Sequence, residues 1–125
     1  MHPELRKAYE DEMAAARYCY RAGREAAAMA HLERAHVLGQ RHVALHVATH
    51  RWMLKIGLRR RAPRQVWGQL LRLVLGALGS AVGIVPTGNT GGTDIGMLRR
   101  LPLDPAVRRL LDKRAGTPPI ARDRV

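Results

Sequence analysis

The sequence predicts an all-α fold, with four helices in two tetratricopeptide-like hairpins, a glycine-rich loop and a short terminal helix. Helix start and stop signals divide the first part of the chain into four segments of helical periodicity. Two hairpins of roughly 34 residues each also fit between Met1 and Leu78. With 46% apolar residues, the chain of 125 can bury a modest core despite a formal charge of +12.

The first hairpin is predicted over residues 3–38. Its first helix, Pro3 to Arg21, opens with a proline, carries acidic residues in its early turns and has basic residues near its end. Gly23 ends this helix. The second helix, Arg24 to Leu38, is rich in alanine and stops at Gly39, which suits a left-handed C-terminal cap.

The second hairpin follows directly. Its first helix runs from Arg41 to Leu58 and ends in a basic run, and Pro63 can open the next helix, which extends to about Leu78. The two hairpins resemble tetratricopeptide units, and an ordinary four-helix bundle explains the same pattern nearly as well.

The C-terminal part is mainly irregular. Residues 86–94 form a glycine-rich loop, and a short helix is predicted from Pro105 to Lys113. Residues 1–115 are therefore expected to form a single helical domain, and residues 116–125 a flexible tail.

Charge and cysteine content narrow the functional classes. Residues 34–93 contain nine basic and no acidic residues. An anionic partner would therefore bind to the middle of the chain. A lone Cys19 excludes a disulfide framework and any CxxC motif. The charged N-terminal segment is unlike a secretory signal, which favours a cytoplasmic location.

Five of the six histidines lie on or beside predicted inward faces. On the third helix, His42, His46 and His50 follow one another at intervals of four residues and form a stripe in the middle of the apolar face. His31 lies in the apolar arc of the second helix, with His36 at its edge. Glu12 lies in the apolar arc of the first helix, where a carboxylate is costly unless it is paired or bound to a cation.

This convergence has two interpretations. The imidazoles either form a hydrogen-bonded network that fixes the packing, or bind Zn, Cu, Ni or Fe inside the helical domain. For the second interpretation, the predicted metal ligands are His31, His36, His42, His46, His50 and Glu12. The residues predicted to support the site are Glu25, Glu33, Tyr9, Met53 and Asn89.

Two sequence motifs point to a family. The residues that carry the resemblance are His31-Leu-Glu-Arg-Ala-His36-Val-Leu-Gly-Gln40, then His46, His50, Trp52, Met53 and Gly68-Gln69, and finally Pro86-Thr-Gly-Asn-Thr-Gly-Gly92. Through these residues the chain resembles a family of small bacterial proteins classed as a domain of unknown function. The resemblance covers residues 3–105. It implies a link to heavy-metal handling and matches the shared pattern at His31, Glu33, His36, His46, His50 and Asn89.

The remaining signals are weaker. Arg59, Arg60, Arg61 and Arg64 could contact nucleic acid or another anion, but no aromatic residues are interleaved to stack on bases. Residues 66–85 are apolar enough to suggest a membrane span, yet Gln69 and Arg72 favour a buried bundle helix. The glycine-rich loop is not a Walker A motif, and no serine nucleophile lies beside a base. Cys19 could pair with a buried histidine in principle, but its placement inside a helix indicates an inert thiol.

The sequence therefore favours a bacterial, cytoplasmic, metal-binding helical protein, and catalysis has the weakest support. A role in metal handling or resistance would follow from this interpretation. The alternative is a metal-free interaction module whose histidines are structural and whose basic surface meets an acidic protein or nucleic acid. The sequence permits a homodimer without demanding one.

Overall fold

A computed structural model describes residues 1–81, 91–92 and 102–115 of the chain. Within these ranges the fold is all-α, as predicted, and contains no strand. The helices are α1 (Pro3–Arg21), α2 (Glu25–Gly39), α3 (Val43–Arg59), α4 (Pro63–Ala81) and α5 (Pro105–Ala115). Residues 82–90, which include Asn89 and most of the glycine-rich loop, and the predicted tail at 116–125 lie outside the described residues.

Local chemistry explains the ends of α1. The Nδ1 atom of His2 accepts a hydrogen bond from the backbone N–H of Glu4, and Pro3 occupies the first helical position. At the other end Gly23 has a φ of 72°, a left-handed conformation that glycine adopts without a steric penalty. The backbone N–H of Arg24 then bonds to the carbonyl oxygen of Cys19, which closes the turn into α2.

The turn between α2 and α3 differs from the prediction. Gly39 is not a left-handed cap, because it is the last residue of α2 and Gln40 follows in right-handed helical geometry. Glycine is needed there for space: a Cβ atom at this position would lie 2.9 Å from Cε2 of Tyr9. The next helix begins at Val43 rather than Arg41, because His42 is extended and acts as the N-cap residue.

The helices pack in chain order. The main interfaces are α1 with α2, α2 with α3, and α3 with α4, whereas α1 and α4 share no comparable interface. A closed four-helix bundle would bring its first and last helices together. The observed order is instead consistent with the predicted tetratricopeptide-like hairpins, which contact their neighbours in sequence.

The core lies between α1, α2 and α3. Its fully buried side chains include Leu5 of α1, Leu32 of α2 and Met53 and Ile56 of α3. The short helix α5 adds Val107, Leu110 and Leu111, which are partly buried against this core. Burial of these apolar surfaces is the main source of stability, as in other small helical domains.

Among the described residues, helix α4 is covered on one side only. Gln69 and Arg72 are buried on its inner side, while the opposite side exposes large apolar residues. The prediction of a buried bundle helix is therefore wrong for this outer side, since α3 is the principal helix packed against α4. In the described part of the chain, no helix has the length and hydropathy needed to cross a membrane.

Candidate metal centre

Three buried histidines converge where α2 meets α3. His36, His46 and His50 are each no more than 4% exposed. One ring nitrogen from each lies within 4.8 Å of those of the other two, and the ring centroids are 4.6 to 4.8 Å apart. We call these residues the histidine triad.

Helix geometry explains why these three meet. His46 and His50 are four residues apart on α3, so their side chains emerge from one face on consecutive turns. His36 lies in the last turn of α2, beside the short connection that folds α3 back along it. The pairing of α2 with α3 therefore places one imidazole opposite two others.

The orientation of His50 is fixed by a chain of hydrogen bonds. The Nε2 atom of Gln69 donates to the carbonyl oxygen of Gly91 at 3.0 Å, and this contact fixes the orientation of the amide. The Oε1 atom of Gln69 then accepts a hydrogen bond from Nδ1 of His50 at 2.6 Å. His50 is therefore protonated at Nδ1, and its lone pair lies on Nε2.

The ring of His46 is oriented in the same manner. Its Nδ1 atom lies 3.3 Å from the carbonyl oxygen of Gln40, which can only accept, so Nδ1 is the donor. The Nε2 atom again carries the lone pair. Histidines that bind metals commonly donate their other ring N–H to a carbonyl or carboxylate oxygen, and this bond sets both the tautomer and the ring plane.

Both oriented histidines are electrically neutral at pH 7. Burial lowers the pKa of His50 to about 4. The hydrogen bond to Gln69 opposes this shift, while His46 and Arg72 add to it. Burial also lowers the pKa of His46, partly offset by its contact with Gln40. Because only neutral imidazole can bind a metal ion, both residues are in the state that coordination requires.

Gly91 closes the triad from the side of the glycine-rich loop. Its φ is 77°, and a Cβ atom at this position would lie only 2.9 Å from Cδ2 of His36. The backbone of residue 91 therefore approaches the imidazole more closely than any other residue type would allow. Gly91 is buried, and its carbonyl oxygen accepts from Gln69, so the loop and α4 are joined beside the triad.

Sequence reasoning missed the groups that orient the triad. A signal existed for Gln69, since an isolated amide in an apolar helix needs a partner when buried. The carbonyl of Gln40 has no sequence signal, because every residue type carries a backbone carbonyl. Gly91 belongs to the glycine-rich loop, but its contact with His36 depends on how the loop returns to the domain.

Two of the predicted ligands, His31 and Glu12, form a separate cluster. Nδ1 of His31 lies 2.7 Å from Oε2 of Glu12, and Nε of Arg34 donates to Oε1 of the same carboxylate at 2.9 Å. His31 and His36 are five residues apart on α2, which separates them by roughly 140° around the helix axis. The structure therefore places His31 and Glu12 on a different side of α2 from the triad.

The other predicted site residues have varied positions. His42 precedes α3 as its N-cap residue and is not in the triad. Glu25 forms an ion pair with Arg59, and Glu33 lines a groove between α1, α2 and α5. Met53 is fully buried in the core, and Tyr9 donates a hydrogen bond to the carbonyl oxygen of Leu45. Asn89 is among the residues that the structure does not describe.

The four arginines predicted to bind anions lie around the turn between α3 and α4. Arg59 is engaged within the fold, through an ion pair with Glu25 and a hydrogen bond to the carbonyl oxygen of Tyr20. Arg60, Arg61 and Arg64 are exposed. The side of the domain at this turn is therefore basic.

The spacing of the triad fits a transition-metal ion. Three atoms that all lie within 4.8 Å of one another share a point at most about 2.8 Å from each of them, whereas a zinc–imidazole bond measures ~2.0–2.1 Å. Closing this gap needs movements of less than about 1 Å per ring, which small side-chain rotations supply. The donor set, three imidazoles, suits Zn, Cu, Ni or Fe.

Comparison with known proteins identifies a family whose function is unknown. A family model described as a protein of unknown function (DUF3703) matches residues 3–111. No curated protein matches the chain, and no solved structure does.

Proposed function

Because the chain belongs to the DUF3703 family, whose function is unknown, we propose from the site itself that this protein binds a transition-metal ion through His36, His46 and His50. The observation that carries the proposal is the meeting of three buried imidazole nitrogens within 4.8 Å. The orienting bonds from Gln69 and Gln40 support it, since they hold two of the rings with the lone pair on Nε2.

The ligand set defines the class of ion. Imidazole nitrogen binds Zn, Cu, Ni and Fe, while Ca²⁺ and Mg²⁺ prefer oxygen ligands. Three protein ligands would leave a four-coordinate ion one position for a ligand from outside the triad. A site of this kind can store or transfer a metal ion in metal handling or resistance.

Metal analysis of protein purified without a histidine tag tests the proposal. The expected result is about one equivalent of a transition metal per chain after loading, with a rise in the melting temperature when the metal-free protein receives the metal. His36→Gln, His46→Gln and His50→Gln should each abolish this rise. His31→Gln is the matched control and should keep it, because His31 lies outside the triad.

Circular dichroism of each variant separates loss of metal from loss of fold. A folded His46→Gln variant that no longer binds metal supports the proposal. If His31→Gln loses the metal as fully as the triad variants, or if the unaltered protein neither binds nor is stabilised by Zn, Cu, Ni or Fe, the proposal fails.

A metal-free interaction module is the second candidate. The observation that favours it is the exposure of Arg60, Arg61 and Arg64 in a region, residues 34–93, that contains no acidic residue. In this case the triad would be a structural network, and an anionic protein or nucleic acid would bind with an affinity that falls steeply as salt rises. Binding to DNA or RNA that weakens in an Arg60→Gln/Arg64→Gln variant, by a protein that takes up no metal, would favour this candidate.

A further inference from the structure

The outer side of α4 is an exposed apolar surface that the metal site does not explain. We define this outer face as Trp67, Leu70, Leu71, Val74, Leu75 and Leu78. All six side chains are exposed, with Trp67 at 72% and Leu78 at 61% of their full area. Contiguous apolar patches of this kind on a small protein mark sites that bind another protein or a membrane.

Helix geometry makes the outer face continuous. The spacing of its six residues places them within an arc of about 140°, whose centre lies nearly opposite Gln69. Gln69 is fully buried and accepts a hydrogen bond from His50, so the inner side of α4 packs beside the triad. The outer face is therefore a convex ridge at the edge of the domain, pointing away from α3.

Basic residues surround the start of this ridge. Arg60 and Arg61 lie in the turn before α4, and Arg64 lies in its first turn on the same side as Trp67. All three are exposed, and no acidic residue occurs between residues 34 and 93. An occupant that matches this surface has to be apolar along the ridge and anionic beside its start.

We propose that the outer face of α4 binds the surface of a bilayer containing anionic phospholipids. The leucine and valine side chains would enter the boundary between headgroups and acyl chains, with the helix lying parallel to the membrane. Arg60, Arg61 and Arg64 would contact lipid phosphates. Trp67, between these arginines and the leucines, would lie at headgroup depth, where tryptophan is enriched in membrane proteins.

Charge argues against a second copy of the chain as the occupant. A partner helix α4 would contribute the same apolar ridge and the same arginines, with no carboxylate to pair with them. An anionic bilayer instead lowers the energy of each arginine that approaches it.

Flotation with lipid vesicles tests this proposal. The full-length protein is mixed at low salt with vesicles of phosphatidylcholine alone, or of phosphatidylcholine with phosphatidylglycerol. Binding to the phosphatidylglycerol vesicles should be at least about ten-fold stronger and should weaken as salt is added. Brominated lipids should quench the fluorescence of Trp67, and this quenching should disappear in Trp67→Phe.

Two variants separate the apolar and electrostatic contributions. The apolar variant is Leu71→Gln/Val74→Gln/Leu78→Gln, which keeps the charge and should weaken vesicle binding at least about ten-fold. Its control is Tyr18→Gln/Val43→Gln, which alters two exposed apolar residues elsewhere and should bind vesicles normally. Arg60→Gln/Arg64→Gln should weaken binding more than Arg6→Gln/Arg21→Gln, which removes the same charge from α1. All the substituted residues are exposed, so the melting temperatures should stay close to that of the unaltered protein.

Three outcomes would overturn the proposal. The first is the absence of binding to phosphatidylglycerol vesicles at low salt. The second is a lipid-free dimer in sedimentation that the Leu71→Gln/Val74→Gln/Leu78→Gln variant converts to a monomer, which would assign the outer face to a second copy. The third is a lipid-free monomer in which acrylamide fails to quench Trp67, which would show that the chain's own residues cover the face.

Discussion

At the scale of single residues, the geometry of the triad depends on groups outside it. Gln69 bridges His50 and the carbonyl oxygen of Gly91, and Gln40 holds His46 through its backbone. An imidazole without such a partner can rotate or shift its proton between nitrogens, which weakens coordination. The amide of Gln69 and the backbone of Gly91 are therefore the positions where a substitution most directly affects His50 and His36.

Substitution of Gln69 should weaken metal binding. Gln69→Leu removes the acceptor for Nδ1 of His50, and we expect the metal affinity to fall by about 10- to 100-fold, measured by competition with a chromogenic chelator. Gln69→Glu keeps an acceptor oxygen and should lose less. Gln65→Leu, on the same helix but away from the triad, is the control and should bind as the unaltered protein does. Equal affinities for Gln69→Leu and Gln65→Leu would contradict the assigned role.

Substitution of Gly91 tests the approach of the loop to His36. In Gly91→Ala the new Cβ would have to displace the imidazole, in addition to the cost of about 1 kcal/mol for alanine at positive φ. Gly23→Ala is a matched control, since its φ of 72° is similar and the nearest atom would be 3.9 Å away. Thermal melts and metal titrations should show both variants destabilised, but only Gly91→Ala impaired in metal binding. A Gly91→Ala variant with normal affinity would show that His36 tolerates the displacement.

At the scale of helices, α3 organises the domain. One side of it carries His46 and His50 toward α2 and α4, and another side receives the Tyr9 hydroxyl of α1 at the carbonyl oxygen of Leu45. The start of α3 also decides which histidines share a face. Because the helix begins at Val43, His42 is its N-cap residue and only His46 and His50 of the predicted stripe lie within the helix.

Removing one hydroxyl group, that of Tyr9, measures how much the contact between α1 and α3 contributes to stability. Tyr9→Phe removes a 3.1 Å hydrogen bond to Leu45, whose carbonyl oxygen still accepts from Thr49 at 2.8 Å. No buried acceptor is left without a donor, so we expect a loss of about 1 kcal/mol in the free energy of unfolding by urea. Tyr18→Phe, at an exposed position, should change it little. A loss of several kcal/mol in Tyr9→Phe would mean that the hydroxyl supports more than this contact.

At the scale of the whole molecule, the buried triad links stability to pH. In the metal-free protein His50 stays neutral down to about pH 4, whereas in the unfolded chain it protonates below its ordinary pKa of 6.5. Between these values the unfolded state binds the extra proton, so the free energy of unfolding decreases as the pH falls from about 6.5 to 4. The contribution of His50 is roughly 3 kcal/mol and is fully present above pH 6.5.

Urea unfolding of the metal-free protein at several pH values checks this dependence. His50→Gln should show a smaller loss of stability between pH 6.5 and 4 than the unaltered protein, because it lacks the titrating group. The carboxylates contribute to both proteins and cancel in the comparison. Identical pH dependence in the two proteins would contradict a depressed pKa for His50.

The helices, their approximate bounds and the family could all be predicted from the sequence. Periodicity, prolines and glycines define helices because these signals act within one or two turns. Spacing by four residues likewise predicts that His46 and His50 share a face. The same reasoning grouped His31 with them, since a helical face computed for α2 alone does not say which neighbouring helix it will contact.

Sequence by itself therefore determined the all-α class, the excess of positive charge in the middle of the chain and the shared face of His46 and His50 on α3. The tertiary structure decided which imidazoles meet, which groups orient them and which side of α4 stays exposed. The reason is physical: helix formation is governed by neighbours within a few residues, whereas the triad joins α2, α3, α4 and Gly91 through contacts between residues as many as 55 positions apart. Those contacts exist only once the helices have packed.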